Sequence, residues 1–198
     1  MKYPDSIEKL IRCFEMYPGV GPKSAERMAL FTLSKMSKEN VHLFSKTLID
    51  VVETIKKCQR CCNITDADIC DICKDSSRDN TIMVVESSRD IISFEKTNVY
   101  RGKYHVLNGT ISPTGGVGPD DININSLVKR VNDEKIKEVI ISLSSTISGE
   151  ITSHYIDKIL ENKDVVVNRI GYGLPAGADI GYLDEITLIK ALEGKKKM

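Results

Sequence analysis

The chain has 198 residues, of which 41% are apolar and 28% charged, and 28 basic residues balance 28 acidic ones. That is enough for one good core and a smaller module, and zero net charge excludes a global field that would draw the molecule to nucleic acid. The start, Met1-Lys2-Tyr3-Pro4-Asp5, lacks a signal-like apolar run and no stretch approaches the ~18 apolar residues of a bilayer span, so a cytoplasmic protein with no membrane partner is expected.

From Ser6 to about Lys57 the pattern is helical. Ile7, Leu10, Ile11 and Phe14 recur at helical spacing, and so do Val41, Phe44, Leu48, Val51 and Ile55. Cys13 falls among the first set and reads as a small core residue. Between the two sets, Tyr17-Pro18-Gly19-Val20-Gly21-Pro22 cannot be helix. Gly19 and Gly21 permit close backbone approach, and Pro22 suits the first position of a following helix whose N-terminal dipole favours an anion. Lys23 and Arg27, four apart, share one face of that helix and can both reach phosphates. The expectation is a helix-hairpin-helix that grips a nucleic-acid backbone without reading bases; the plainer alternative is a turn between two core helices. A dinucleotide loop is excluded, since no strand precedes the glycines and the third one is missing.

Two C-x-x-C pairs follow, Cys58-Gln59-Arg60-Cys61 and Cys70-Asp71-Ile72-Cys73, joined by a polar, turn-prone stretch. Each spacing lets two thiolates on one tight turn bind the same tetrahedral ion, and a closed four-sulfur set favours zinc, one per chain, although spacing alone also admits iron. Two disulfides are the competing reading, disfavoured in a reducing compartment. Cys62 is also at an allowed distance from Cys58; Cys61 is preferred because it makes both turns equivalent. Such a site is structural, with no open position for water.

Beyond Thr81, apolar runs alternate with helical patterns. Strands are expected at 81–85, 104–107, 138–143 and 165–170, and helices at 122–131, 150–160 and 184–192, which makes an α/β layer with a largely parallel sheet. Glu86 follows the first of these strands, at the strand end where open α/β sheets carry function. The strand 138–143 runs into Ser144-Ser145-Thr146-Ile147-Ser148-Gly149-Glu150, with no acid before Glu150. Two glutamates do not make a convincing two-metal site, so catalysis is disfavoured and no catalytic residue is assigned. His154 is expected on an exposed or half-buried helix face, and Lys195-Lys196-Lys197 as a solvated tail.

Taken together and in this order, these motifs resemble one family, the bacterial recombination mediator RecR. The likeness runs through Pro18 to Ala29, the four cysteines, Arg78-Asp79, Val84-Val85-Glu86, Tyr100 to Gly109, Ile111-Ser112-Pro113, Gly116 to Pro119, Arg169 to Pro175 and Asp184 to Leu188. It implies a multi-module α+β fold: a helix-hairpin-helix region at 1–57, a four-cysteine zinc finger at 58–73, a Toprim domain at 81–176 and an oligomerisation segment at 177–198. It further implies a non-enzymatic role in recombinational DNA repair, acting with RecO, and RecF in some settings, to load RecA onto gapped single-stranded DNA. Dimers or ring-like tetramers able to encircle DNA are implied, and association with the nucleoid when on DNA. By motif, Gly19, Gly21, Lys23 and Arg27 fall to DNA binding, and Cys58, Cys61, Cys70 and Cys73 to zinc. Glu86 and Glu150 fall to partner binding on the Toprim domain. The alternative is a Toprim-type metal-dependent phosphoryl-transfer enzyme. Two departures from the family pattern thin the acidic face: Ser148-Gly149-Glu150 replaces Glu-Gly-Glu, and Gly181 stands where glutamate is usual.

Overall fold

Helices at the amino end start and stop where proline, glycine and a serine cap put them. A computed structural model of the chain describes residues 2–171, 173–174 and 176–195; Tyr172 and Pro175 of the motif near the carboxyl end, and Lys196 and Lys197 of the lysine tail, lie outside the described residues. α1 (Asp5–Glu15) follows Pro4, α2 (Pro22–Lys35) opens on Pro22, and α3 (Lys38–Thr54) is capped by Ser37, whose hydroxyl accepts from the Asn40 N–H at 3.2 Å. α1 and α2 pack over Ala25 and Ala29, whose small side chains allow the close approach. No residue of α1 or α3 is buried, so Cys13 is exposed and the expectation of a core cysteine is corrected. Ile7, Leu10, Ile11 and Phe14, the apolar face of α1, are half-buried, and Cys13 lies off that face.

The second compact unit begins at Lys56. A two-stranded ladder, β1 (Lys56–Lys57) against β2 (Ile64–Thr65), and a one-turn α4 (Asp71–Lys74) frame the cysteines. A four-stranded sheet follows, in the order β4-β3-β5-β6 and parallel throughout: β3 (Thr81–Val85), β4 (Lys103–Val106), β5 (Glu138–Ser142) and β6 (Val166–Arg169). Between the strands run α5 (Ser88–Glu95), α6 (Ile124–Glu134) and α7 (Ile147–Leu160); α8 (Glu185–Glu193) comes last. Four of the five β3 residues are buried because both sheet faces are covered. On one face Ile82, Val84, Val139 and Ile141 meet Ile124, Leu127 and Val131 of α6 and Ile156 and Leu160 of α7. On the other, Met83, Val85, Tyr104 and Val106 meet Ile91 of α5. α5 has no counterpart in the sequence-based expectations. It is eight residues long and starts where the Asp90 carboxylate accepts from the Ser87 N–H at 2.7 Å and from the Ser87 hydroxyl at 3.0 Å.

His105, fully buried on β4, has a consequence for acid stability. Its Nε2 lies 2.8 Å from the Asn123 carbonyl, to which it donates, while Nδ1 is buried without a partner among the described residues. Burial, with the nearby Arg130 charge, depresses its pKa to about 4. The folded value lies below the unfolded one, so the contribution is complete above pH ~6.5 and is lost as pH falls toward 4. It amounts to about 3 kcal/mol. Urea midpoints measured between pH 7 and 4.5 are expected to fall faster for the native chain than for His105→Gln; parallel curves would contradict this.

Candidate functional site

The two cysteine pairs are carried by tight backbone turns. Around the first, the Cys58 N–H donates to Asn63 O (2.7 Å) and the Cys62 N–H to Cys58 O (2.9 Å). The second pair starts α4, with the Cys73 N–H donating to Cys70 O at 3.0 Å. The turns close on each other: the sulfurs of Cys58, Cys61, Cys70 and Cys73 all lie within 4.8 Å of one another, and all four residues are buried. The Sγ atoms of Cys61 and Cys70 are 3.5 Å apart, far from disulfide distance and close to the ~3.8 Å edge of a tetrahedral zinc site with ~2.3 Å bonds. The Cys70 N–H donates to Cys58 Sγ at 3.3 Å, as a backbone supporting thiolate charge does. Hydrogen bonds from Cys61 and Cys73 hold Cys70 low, at about 2, while the same bond to Cys70, then Cys73 and burial, pushes Cys61 far up. Four thiolates therefore need a dication between them, and this donor set fits zinc. Cys62 adopts φ 61°, which turns it out of the set, and its Sγ lies 3.8 Å from Ser126 Oγ.

The cysteine module is tied to the sheet. The Val106 N–H donates to Cys61 O at 2.8 Å, and the Ile64 N–H to Ser88 Oγ at 3.2 Å. Arg60 donates from Nε to Glu134 (2.6 Å) and from Nη1 to Cys73 O (3.1 Å). Arg130, also bound to Glu134, donates to Tyr104 O. Burial alone would raise the Glu134 pKa; the hydrogen bond from Arg60 and the Arg130 charge hold it below the usual range. Arg130 and Glu134 stand at helical i,i+4 spacing on α6, but Arg60 carries no spacing signal, since it is 74 residues from Glu134 in sequence.

In the helical unit, the turn before α2 depends on Gly19, at φ 80°, a conformation that a side chain would strain. Gly21 is the N-cap, and an added Cβ there would meet nothing within 4 Å. No side chain caps α2 and no acid sits in its first turn, so its leading N–H groups stay open to an anion. Lys23 and Arg27 are both exposed, one turn apart.

At the strand ends, Glu86 follows β3 and accepts from Ser144 Oγ at 3.4 Å. Glu150, in the first turn of α7, is held by Arg169 at the end of β6: Nη1 to Oε2 at 2.5 Å and Nη2 to Oε1 at 2.8 Å. This engagement of Glu150 is invisible in the motif. Gly149 is required beside it, because a Cβ would lie 2.0 Å from Ser144 O. His154 is exposed on α7.

Known proteins resemble the chain along its whole length. It is 45% identical over 199 aligned positions to a protein of Enterococcus faecalis named Recombination protein RecR, with all of both chains covered. A protein of Leuconostoc mesenteroides with the same name is 48% identical over 202 positions, again with complete coverage. The chain belongs to the RecR family. Models of the RecR helix-hairpin-helix, the RecR zinc finger with four cysteines, the Toprim domain and the RecR C-terminal region match residues 7–52, 55–75, 80–171 and 173–196. The RecR zinc finger coincides with the converging sulfurs, so the cofactor is a structural zinc. The chain is thus a recombination protein with the multi-module RecR architecture. Among the described residues no helix is long and apolar enough to cross a membrane.

Proposed function

We propose that the protein is a non-enzymatic, DNA-binding mediator of recombinational repair that acts with RecO, and with RecF in some settings, to load RecA onto gapped single-stranded DNA. The observation that carries this reading is the uncapped, acid-free start of α2 beside exposed Lys23 and Arg27, which suits a phosphate backbone of any sequence. Gly19 and Gly21 shape the turn; Lys23 and Arg27 supply the charge. The working compartment is the cytoplasm, with the nucleoid when DNA is bound.

Homo-oligomers, dimers or ring-like tetramers, belong to the same proposal. In their support, Phe31, Leu43 and Val52 of the helical unit are 56%, 65% and 82% exposed, and Tyr182, Ile186, Ile189 and Leu192 form an exposed apolar stripe near the carboxyl end. Glu86 and Glu150 form the partner-facing corner. Because Glu150 is engaged by Arg169, Glu86 carries the larger share of attraction for a basic RecO surface.

The test is a pair of titrations, against RecO and against DNA, on native protein and Glu86→Lys, with mass measured by light scattering. Glu86→Lys is expected to weaken RecO binding about tenfold or more, a loss that shrinks as salt rises, and to leave DNA binding unchanged. No nuclease, primase or topoisomerase turnover is expected with magnesium or manganese. Unaltered RecO binding, turnover on gapped DNA, or the mass of one 22.1 kDa chain would each remove the corresponding part of the proposal.

A further inference from the structure

Four elements meet at the carboxyl ends of the parallel strands. Glu86 leaves β3, Ser144 leaves β5, Glu150 stands in the first turn of α7, and Arg169 closes β6. A Toprim domain that transfers phosphoryl groups would hold magnesium here, and magnesium demands near-octahedral oxygen ligands at ~2.1 Å, with carboxylates converging on it from more than one element. This chain brings two carboxylates to the corner, and both oxygens of Glu150 already accept from Arg169, at 2.5 and 2.8 Å.

The pair is built into the fold. Arg169 is paired with Ile141 in the β5–β6 register, and the next residue, Ile170, donates its N–H to Ile141 O at 3.0 Å. The arginine is therefore anchored beside the last residues of β5. On the other side, the close approach of Gly149 to Ser144 O and the cap of α7 by Thr146, which accepts from the Gly149 N–H at 3.2 Å, fix the helix turn that presents Glu150. Both side chains are about two-thirds to three-quarters buried, at 27% and 32% exposure. A planar guanidinium that meets both carboxylate oxygens in a fork cannot lose its charge, and it fills the directions from which a metal would bind. That leaves the single carboxylate of Glu86, beside the neutral Ser144 hydroxyl 3.4 Å away. This donor set does not suit a divalent ion.

We propose that Arg169 is a resident cation that stands in for the metal at the strand ends: a positioning residue that holds Glu150 and denies the corner to divalent ions. Ser148 is neutral, so Glu150 is the one carboxylate in the first turn of α7, and one guanidinium offsets it. The assignment is tested by metal binding without DNA or any partner protein, so it holds or fails separately from the mediator reading.

The probe is Mn2+ alone, followed by electron paramagnetic resonance of the free ion, on the full zinc-loaded chain. Native protein is expected to show no Mn2+ binding that depends on Glu86 or Glu150. Arg169→Gln removes the competing charge and is expected to bind Mn2+ about tenfold or more tightly than native protein. That gain is expected to vanish in Arg169→Gln with Glu150→Gln, which a merely structural role for the arginine would not predict. An Arg169→Gln protein that keeps its zinc and helical signal yet binds Mn2+ no better than native overturns the proposal. The native chain decides as well, whether or not that variant folds: Mn2+ affinity that drops on Glu86→Gln or Glu150→Gln overturns the assignment, and indifference to both supports it.

Discussion

Reversing two charges, Lys23→Glu with Arg27→Glu, is expected to abolish DNA binding while leaving zinc content and helical signal unchanged. Both side chains are exposed, and the buried residues of α2 are Ala25 and Ala29. Reversal also places acids at the start of α2, where the dipole had favoured a phosphate, so a carboxylate now occupies the anion's side of the helix. Each phosphate contact contributes about 0.7 to the salt slope on single strands and about 0.9 on duplex. Neutral replacements, Lys23→Gln with Arg27→Gln, should therefore flatten the slope by roughly 1.4 to 1.8 for every hairpin engaged. Gly19→Ala forces a side chain into φ 80° and is expected to cost about 1 kcal/mol of local stability and weaken binding without altering the slope in proportion. The decisive comparison is affinity for single-stranded DNA at several salt concentrations. Unchanged affinity in the double reversal would make the hairpin an ordinary turn.

What could be read from the sequence follows a physical division between local and distant interactions. Runs such as Thr81–Val85 announce themselves because both faces of a parallel strand are buried, and the cysteine pairs because one tight turn must serve one ion. Cys13 was misplaced because it lies among the apolar residues in sequence but off their helical face: Ile7, Leu10, Ile11 and Phe14 are half-buried and Cys13 is exposed. α5 escaped because its eight residues span barely two turns and its start signal, Ser87 with Asp90, uses aspartate where a capping box more often has glutamate. The distant ion pairs were out of reach, unlike Arg130–Glu134 at helical i,i+4 spacing. Arg60 and Glu134 are 74 residues apart, Glu150 and Arg169 19 apart, and no periodicity links such positions. Glu150 could be found as an acid by its motif, whereas its engagement required the register of β6 beside β5.

Removing the zinc should have the largest effect on the second unit. Structural zinc contributes roughly 10–16 kcal/mol of apparent binding free energy, comparable to the ~5–15 kcal/mol stability of an entire domain, so the cysteine module is not expected to stay folded without it. The loss does not stop at the module. Cys61 O caps the Val106 N–H at the edge of the sheet, and Arg60 balances Glu134, whose other partner Arg130 is 97% buried as a side chain, being 3% exposed. Freeing the β4 edge exposes unpaired backbone groups to a second chain, and withdrawing Arg60 leaves a partly buried carboxylate with one cation in place of two. Cys58→Ala or Cys73→Ala is accordingly expected to lose zinc, lower the unfolding temperature of the sheet as well as the module, and aggregate. Cys62→Ser is expected to keep one zinc per chain, because its sulfur faces Ser126 outside the cluster. Elemental analysis and thermal unfolding of these three variants, with Cys61→Ser beside them, measure this directly. Cys62→Ser protein without zinc, beside Cys61→Ser protein that retains it, would reassign the fourth ligand. A metal-free Cys58→Ala chain that unfolds at the native temperature would show that the sheet does not depend on its zinc-bound edge.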